Sequence, residues 1–115
     1  MVREKAFRFA VRIVKLCAYL RQEKKEFILS KQLLRSGTSI GANLSEAKEG
    51  QRRSDFLSKN AIALKEASET DYWLRLLHAA EYLSDAEFGS IMKDCRELER
   101  ILTSIVRTTK DNPAP

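Results

Sequence analysis

The sequence contains few of the residues that bend or end regular backbone structure. Its 115 residues include only four glycines and two prolines. A sheet of many short strands needs sharp turns rich in these residues, so their scarcity argues against such a sheet. Long helices joined by short polar loops are the expected alternative, and the length suits one compact domain.

Cysteines and long apolar runs are also scarce. The two cysteines, Cys17 and Cys95, give neither a disulfide framework nor a metal-ligand spacing. Both fall in apolar stripes, so we expect buried free thiols in the reducing cytoplasm. The sequence contains no run of about 18 apolar residues, so it predicts no membrane span. Charges at Arg8, Arg12 and Lys15 interrupt the apolar N-terminal stretch, which argues against a signal peptide.

Positive charge is abundant but unevenly distributed along the chain, whose net charge is +5. Residues 1–65 carry 15 Lys and Arg against 6 Asp and Glu, whereas residues 66–115 carry 6 against 10. Two interpretations stay open. The basic half contains a site for a polyanion, or the basic and acidic halves of neighbouring subunits attract each other.

Hydrophobic periodicity predicts four helices, over about residues 3–23, 28–49, 54–82 and 84–108, and a tail at 109–115. Ser30 and Ser54 are expected to cap the second and third helices. The capping box Ser84-Asp85-Ala86-Glu87 marks the start of the fourth helix. Helices of this length with short loops predict an all-α, up-down-up-down four-helix bundle that forms a single domain.

The first helix has more apolar surface than one core-facing stripe needs. Phe7, Val11, Val14 and Ala18 form a second stripe beside the one that faces the core. Either this helix is the most buried of the bundle, or it also packs against another subunit.

Two glycines, Gly37 and Gly41, stand one turn apart inside the second helix, where each costs roughly 0.8–1.0 kcal/mol relative to alanine. A phosphate-binding loop would need a preceding strand and a suitably placed Lys-Ser or Lys-Thr, and neither is present. We therefore expect a point of close helix approach or a bend. The approaching helix could belong to the same chain or to a neighbouring subunit.

Two segments, QLLRSGTSIGANLSEA at residues 32–47 and SDFLSKNAIALKEASETDYWLRLL at residues 54–77, resemble the signature of the 23S rRNA-intervening sequence protein family. The similarity extends from about residue 7 to about residue 108. It implies a four-helix bundle that assembles into a ring of five and has no enzymatic activity. A related branch consists of accessory proteins of diversity-generating retroelements, which bind a reverse transcriptase and nucleic acid. Many relatives carry proline at the position of Gly41.

Basic residues are the candidates for nucleic-acid binding, since polyanion binding needs several cations on one surface. Four of them form a basic stripe along the first helix, namely Lys5, Arg8, Arg12 and Lys15. A ring of subunits would repeat that stripe around its axis. The alternative is a solvated face that keeps the protein soluble. No aromatic side chain interleaves with the stripe, so base stacking is not predicted there. The candidates are Lys5, Arg8, Arg12, Lys15, Lys24, Lys25, Lys31, Arg35, Arg52 and Arg53.

A second set of candidates is structural or interfacial. Glu66 and Glu69, with Asp71, form an acidic patch that we expect to pair with Lys or Arg within the bundle or across subunits. Thr70 and Tyr72 are the expected partners of the side-chain amide of Asn43, which lies in the middle of the second helix. Trp73 is expected to anchor the core or an interface. The set is Gly37, Gly41, Asn43, Glu66, Glu69, Tyr72 and Trp73.

No catalytic or metal-binding group is predicted. Carboxylate-bridged metal sites in bundles use Glu-x-x-His twice, and the only histidine, His78, lies in Arg75-x-x-His78. The sequence predicts a cytoplasmic, non-enzymatic homo-oligomer, pentameric by resemblance, without cofactor or membrane. It would bind nucleic acid, RNA favoured, with low sequence specificity. The alternative is a protein–protein adaptor, for a reverse transcriptase or another nucleic-acid enzyme, without nucleic-acid affinity of its own.

Overall fold

The computed structural model describes residues 1–49 and 52–111, which form four α-helices. They are α1 (Val2–Gln22), α2 (Leu29–Glu49), α3 (Arg53–Ala79) and α4 (Asp85–Asp111). The molecule is elongated, with principal extents of 53 × 21 × 21 Å. Within the described residues, none of the helices is long and apolar enough to cross a bilayer.

Each helix packs against two neighbours, so the four form a bundle. α1 lies against α2 and α4, and α3 lies against the same two helices. Contacts between neighbouring helices run in opposite directions along the chain: Arg35 of α2 meets Glu66 of α3, while Glu46 meets Lys59. The same order holds between α1 and α2, where Gly37 faces Ile13 and Gly41 faces Ala6. Consecutive helices are therefore antiparallel. The predicted all-α, four-helix fold is confirmed.

The core consists of one apolar stripe from each helix at spacings of three and four residues, which is the period of an α-helix. Along α3 the buried stripe begins at Asn60, whereas Phe56 is exposed because it lies in the first turn, at the end of the bundle. The fully buried apolar side chains include Ala6, Phe9, Ile13, Cys17, Leu20, Leu33, Ile40, Ala63, Ala67, Leu74, Leu77, Cys95, Leu98 and Leu102.

A glutamate, not the predicted serine, caps the start of α2. The carboxylate of Glu26 accepts hydrogen bonds from the backbone N–H groups of Ile28, Leu29 and Ser30, at 3.2, 2.9 and 2.7 Å. The hydroxyl of Ser30 instead donates to the carbonyl of Glu26, at 2.8 Å. A negative charge at this position also complements the positive end of the helix dipole, so Glu26 displaces Ser30 from the capping role.

The ends of α3 also differ from the prediction. Ser54 lies inside its first turn and does not cap it, because the helix begins at Arg53. The helix ends at Ala79, three residues earlier than predicted, because Glu81 adopts a left-handed conformation with φ of 69° that turns the chain. The backbone N–H of Tyr82 then bonds to the carbonyl of Leu77, at 2.9 Å.

The predicted capping box at the start of α4 is confirmed. The N–H of Ser84 donates to the carboxylate of Glu87 at 2.8 Å, and the N–H of Glu87 donates to the hydroxyl of Ser84 at 3.1 Å. α4 continues to Asp111, into the predicted tail. The rest of that tail, residues 112–115, lies outside the described residues.

The two glycines of α2 mark its closest approach to α1. A Cβ atom added at Gly37 would lie 2.8 Å from Cγ2 of the buried Ile13, too close for any real contact. A Cβ atom at Gly41 would lie 3.6 Å from the backbone of Ala6, an ordinary van der Waals distance. The expected close approach is confirmed, and the approaching helix belongs to the same chain.

These distances predict opposite effects of two similar substitutions. Gly37→Ala should destabilise the fold by about 1–2 kcal/mol, because overpacking against the branched Ile13 outweighs the gain in helix propensity. Gly41→Ala should range from neutral to about 1 kcal/mol more stable, because the added methyl group meets no clash. Urea unfolding followed by circular dichroism measures both. Equal effects of the two substitutions would contradict the packing described above.

Candidate nucleic-acid interface

The predicted basic stripe of α1 is bordered by acidic side chains of α4. Nζ of Lys5 lies 3.2 Å from the carboxylate of Glu97, and Nη1 of Arg12 lies 2.6 Å from that of Asp94. Arg12 also donates to the hydroxyl of Ser90, at 2.8 Å. These pairs compensate much of the positive charge that the sequence places along α1.

The other two members of the stripe have different surroundings. Arg8 pairs with Glu4 one turn earlier, at 3.3 Å. Lys15 is exposed and forms no ion pair with any residue that the structure describes. Only one of the four stripe cations is therefore uncompensated.

The acidic patch of α3 finds its partner within the bundle. Arg35 of α2 lies 3.2 Å from the carboxylate of Glu66 and also pairs with Glu69. The indole Nε1 of Trp73 donates to the same carboxylate of Glu69, at 3.0 Å. Trp73 is half-buried against the core, so Arg35, Glu66, Glu69 and Trp73 fasten α2 to α3.

The predicted partners of Asn43 are wrong. Its amide donates to the carbonyl of Ser39, one turn earlier, at 2.9 Å. The buried hydroxyl of Thr70 lies 2.9 Å from that of Ser36 instead, and Tyr72 is exposed with its ring edge-on to Trp73. The half-buried amide of Asn43 is satisfied within α2, because it also lies 3.3 Å from the hydroxyl of Ser39.

The remaining basic candidates lie at opposite ends of the bundle. Arg52 and Arg53 are at the end that holds the α2–α3 connection. At the other end, between α1 and α2, four exposed cations form a group that we name the basic tip. None of the four makes an ion pair with a described residue, and Lys24 lies over the ring of Tyr19, 6.0 Å from its centroid. The basic tip comprises Arg21, Lys24, Lys25 and Lys31.

Two large apolar side chains are exposed within this basic end. Phe27 is 58% exposed and Ile28 is 77% exposed. Both lie in a short link outside any periodic stripe, so hydrophobic periodicity does not point to them. Their position between Lys25 and Lys31 was the available signal.

A carboxyl pair joins α3 to α4 away from the basic tip. Asp71 lies 2.7 Å from Nε of Arg75 and 4.0 Å from Nε of Arg96, and its carboxylate hydrogen-bonds the carboxyl group of Glu99. Burial raises the pKa of Glu99 to about 7, and the hydrogen bond and negative charge of Asp71 add to this effect. Burial also raises the pKa of Asp71, but hydrogen bonds from Glu99 and Arg75 outweigh it and hold the value below the ordinary one.

The same cluster contains the only grouping of metal-type ligands found within residues 1–49 and 52–111. Ligand atoms of Asp71, Cys95 and Glu99 lie within 4.8 Å of one another. Two arginines already compensate the charge of Asp71, and burial raises the pKa of the Cys95 thiol well above its ordinary value. A protonated thiol and a compensated carboxylate are poor metal ligands, so the groups present do not favour an ion here.

The predicted free thiols are confirmed, since Cys17 and Cys95 are both buried and unbridged. Burial raises the pKa of Cys17 to about 11. His78 lies 2.7 Å from the carboxylate of Asp85 and stacks on Phe88 with ring centroids 4.1 Å apart. These contacts join the end of α3 to the start of α4.

Comparison with known proteins agrees with the resemblance noted in the sequence. The sequence model of the 23S rRNA-intervening sequence proteins matches residues 1–104. The chain belongs to the 23S rRNA-intervening sequence protein family. A crystal structure from Bacteroides thetaiotaomicron, of a protein with unknown function from the S23 ribosomal protein family, is 53% identical and superposes with a TM-score of 0.92. The match covers 94% of this chain and 100% of that one. No curated protein matches this chain.

In this 23S rRNA-intervening sequence protein, the segments that carry the family resemblance hold the bundle together. They contain the glycines that admit α1 and the network of Arg35, Glu66 and Glu69. The basic tip lies outside both segments. The two signature segments therefore indicate the fold. We expect the residues that bear on function to lie on the surface outside them.

The raised pKa of Glu99 predicts a pH-dependent stability. Between pH 4.5, the ordinary pKa, and about 7, Glu99 is protonated in the folded protein but ionised in the unfolded chain. The wild-type protein should therefore lose stability as the pH rises from about 5 to 8, by on the order of 1–2 kcal/mol after allowance for partial exposure. Glu99→Gln should remove this loss, as measured by urea unfolding at fixed protein concentration.

Glu97→Gln is the matched control, because Glu97 lies on the same helix and pairs with Lys5 on the α1 side. It should retain the pH dependence of the wild-type protein. Comparing the variants at each pH cancels the pH effects that they share. Identical profiles for the wild-type protein and Glu99→Gln would show that the carboxyl pair does not share a proton.

Proposed function

We propose that this protein is a cytoplasmic, non-enzymatic, homo-oligomeric scaffold that binds nucleic acid, RNA favoured, with low sequence specificity. The observation that carries the proposal is the basic tip. Its four cations are exposed and form no ion pair among the described residues, and the only exposed acid between them in the sequence is Glu23. The α1–α2 link therefore offers unpaired cations to a phosphate backbone.

Compensated cations contribute less to such binding than free ones. Affinity for a polyanion comes from counterions released as phosphates are neutralised. Lys5 and Arg12 already face Glu97 and Asp94, whose charges repel a phosphate. At the basic tip, Lys24 lines a cavity with Glu81, Asp85 and Glu87, but none of the four cations forms an ion pair with a described residue. We therefore place the main contact there and give the α1 stripe a lesser part.

The proposed assembly rests on the second apolar stripe of α1. Phe7 is 70% exposed and Val14 is 50% exposed, with the exposed Val11 between them. This excludes the alternative that α1 is the most buried helix of the isolated chain. An apolar stripe of this kind on a folded surface favours a contact with another molecule. We propose that it forms part of the subunit interface, and the family resemblance favours a ring of five.

A charge placed in this stripe should break the assembly. Val14→Glu would bury a carboxylate in the subunit interface, so the oligomer should dissociate at micromolar concentration. The neighbouring Lys15→Glu, on a different face of α1, should leave the oligomer intact. Size-exclusion chromatography with multi-angle light scattering measures both masses. A Val14→Glu variant with the wild-type mass would remove the stripe from the interface.

Salt dependence tests the nucleic-acid contact. Log K for labelled single-stranded RNA should fall linearly with log salt concentration for the wild-type protein. Replacing Lys24, Lys25 and Lys31 with Gln should weaken binding and reduce the slope by about 2 for each engaged subunit. The control replaces Lys5, Arg8 and Arg12 with Gln, which removes the same charge from compensated positions and should change the slope less. Equal slopes for the two triple variants would contradict the placement at the basic tip.

A second candidate function is a protein–protein adaptor, for a reverse transcriptase or another nucleic-acid enzyme. The pairs Lys5–Glu97 and Arg12–Asp94 favour it, because they neutralise the longest basic surface of the subunit. Such an adaptor has no nucleic-acid affinity of its own. Absence of RNA and DNA binding at low salt would therefore favour the adaptor over the scaffold.

A further inference from the structure

The link between α1 and α2 is held in one conformation by its own hydrogen bonds. The backbone N–H of Glu23 bonds to the carbonyl of Tyr19 at 2.8 Å, and that of Glu26 bonds to the carbonyl of Leu20 at 3.0 Å. Lys25 takes a left-handed conformation, with φ of 56°, that reverses the chain between them. The carboxylate of Glu26, whose residue is only 8% exposed, holds three amides at the start of α2.

This clamp fixes the two residues that follow Glu26 on the outside of the molecule. Phe27 and Ile28 are among the most exposed large apolar side chains of the chain. The backbone on both sides is held by these hydrogen bonds, so a ligand that binds the exposed Phe27 ring does not have to order the backbone. Within the described residues, no ring contact involves Phe27.

The cations of the basic tip surround this aromatic side chain in the sequence and at the same end of the bundle. Lys24 and Lys25 precede Phe27, and Lys31 follows one helical turn after it. A positively charged surface with an exposed aromatic ring is the arrangement that single-stranded nucleic-acid sites use, since the ring stacks on a base while the cations contact phosphates. The α1 stripe has the charge without the ring.

We propose that the basic tip binds single-stranded nucleic acid, with Phe27 stacked on an unpaired base and the lysines on the flanking phosphates. This inference rests on the proposed function and narrows its ligand class. A duplex keeps its bases inside the stack, so Phe27 gains nothing from it. The protein should therefore prefer single strands to duplexes of the same length, with little dependence on sequence.

The test uses substitutions that separate stacking from apolar contact. Fluorescence anisotropy is measured with a labelled oligouridine and with an RNA duplex of equal length. Phe27→Leu keeps the apolar character and removes the aromatic face, so it should weaken oligouridine binding roughly 5- to 100-fold. Phe27→Tyr should bind like the wild-type protein. Duplex affinity and the salt slope for either ligand should be unchanged in both variants.

The matched control is Phe56→Leu, the same change at an exposed phenylalanine of the opposite end of the bundle, which should alter neither affinity. If the wild-type protein binds oligouridine and Phe27→Leu binds it equally well, stacking by Phe27 is overturned while the scaffold function stands. If the wild-type protein binds no nucleic acid at low salt, both proposals fail. A membrane anchor is the competing outcome. It would be indicated if the wild-type protein and Phe27→Leu both sediment with phosphatidylserine vesicles and the wild-type protein shows no preference for single-stranded RNA. That result would overturn the inference.

Discussion

The close approach of α1 to α2 at Gly37 determines where the charges of this subunit lie. The side chain of Ile13 occupies the space that a Cβ atom would need, so α1 packs closely against α2. In that position its basic side faces Asp94 and Glu97 of α4, and its second apolar stripe faces outward. One steric constraint thus both neutralises the predicted stripe and leaves a surface for assembly.

Cations of the basic half and carboxylates of the acidic half pair largely within the subunit. Lys5, Arg12 and Arg35 from the basic half pair with carboxylates from the acidic half. Partly exposed pairs of this kind contribute little stability each, but they remove cations from the pool that could contact phosphate. Four cations without an ion pair among the described residues lie together at one end of the bundle, beside an exposed phenylalanine. That separation is the physical basis for placing nucleic acid at the basic tip.

Much of the fold follows from local patterns in the sequence. Apolar spacing predicts the helices and most of the core, and the capping box at Ser84 predicts the start of α4, because these signals involve residues within one or two turns. Caps are harder when several polar residues compete, as Glu26 and Ser30 do. Partners on different helices are harder still to predict from the sequence, because they depend on how each helix is rotated about its axis. Arg12 and Glu99 illustrate this, since rotating their helices by one residue would give each a different neighbour.

Photo-crosslinking would test most directly whether the basic tip is the nucleic-acid site. A single-stranded RNA carrying 4-thiouridine is irradiated with the wild-type oligomer at low salt, and crosslinked peptides are identified by mass spectrometry. The account predicts crosslinks within residues 21–31, with Phe27 as the principal site. Crosslinks confined to α1 between residues 5 and 15, or to the opposite end near Arg52, would contradict it.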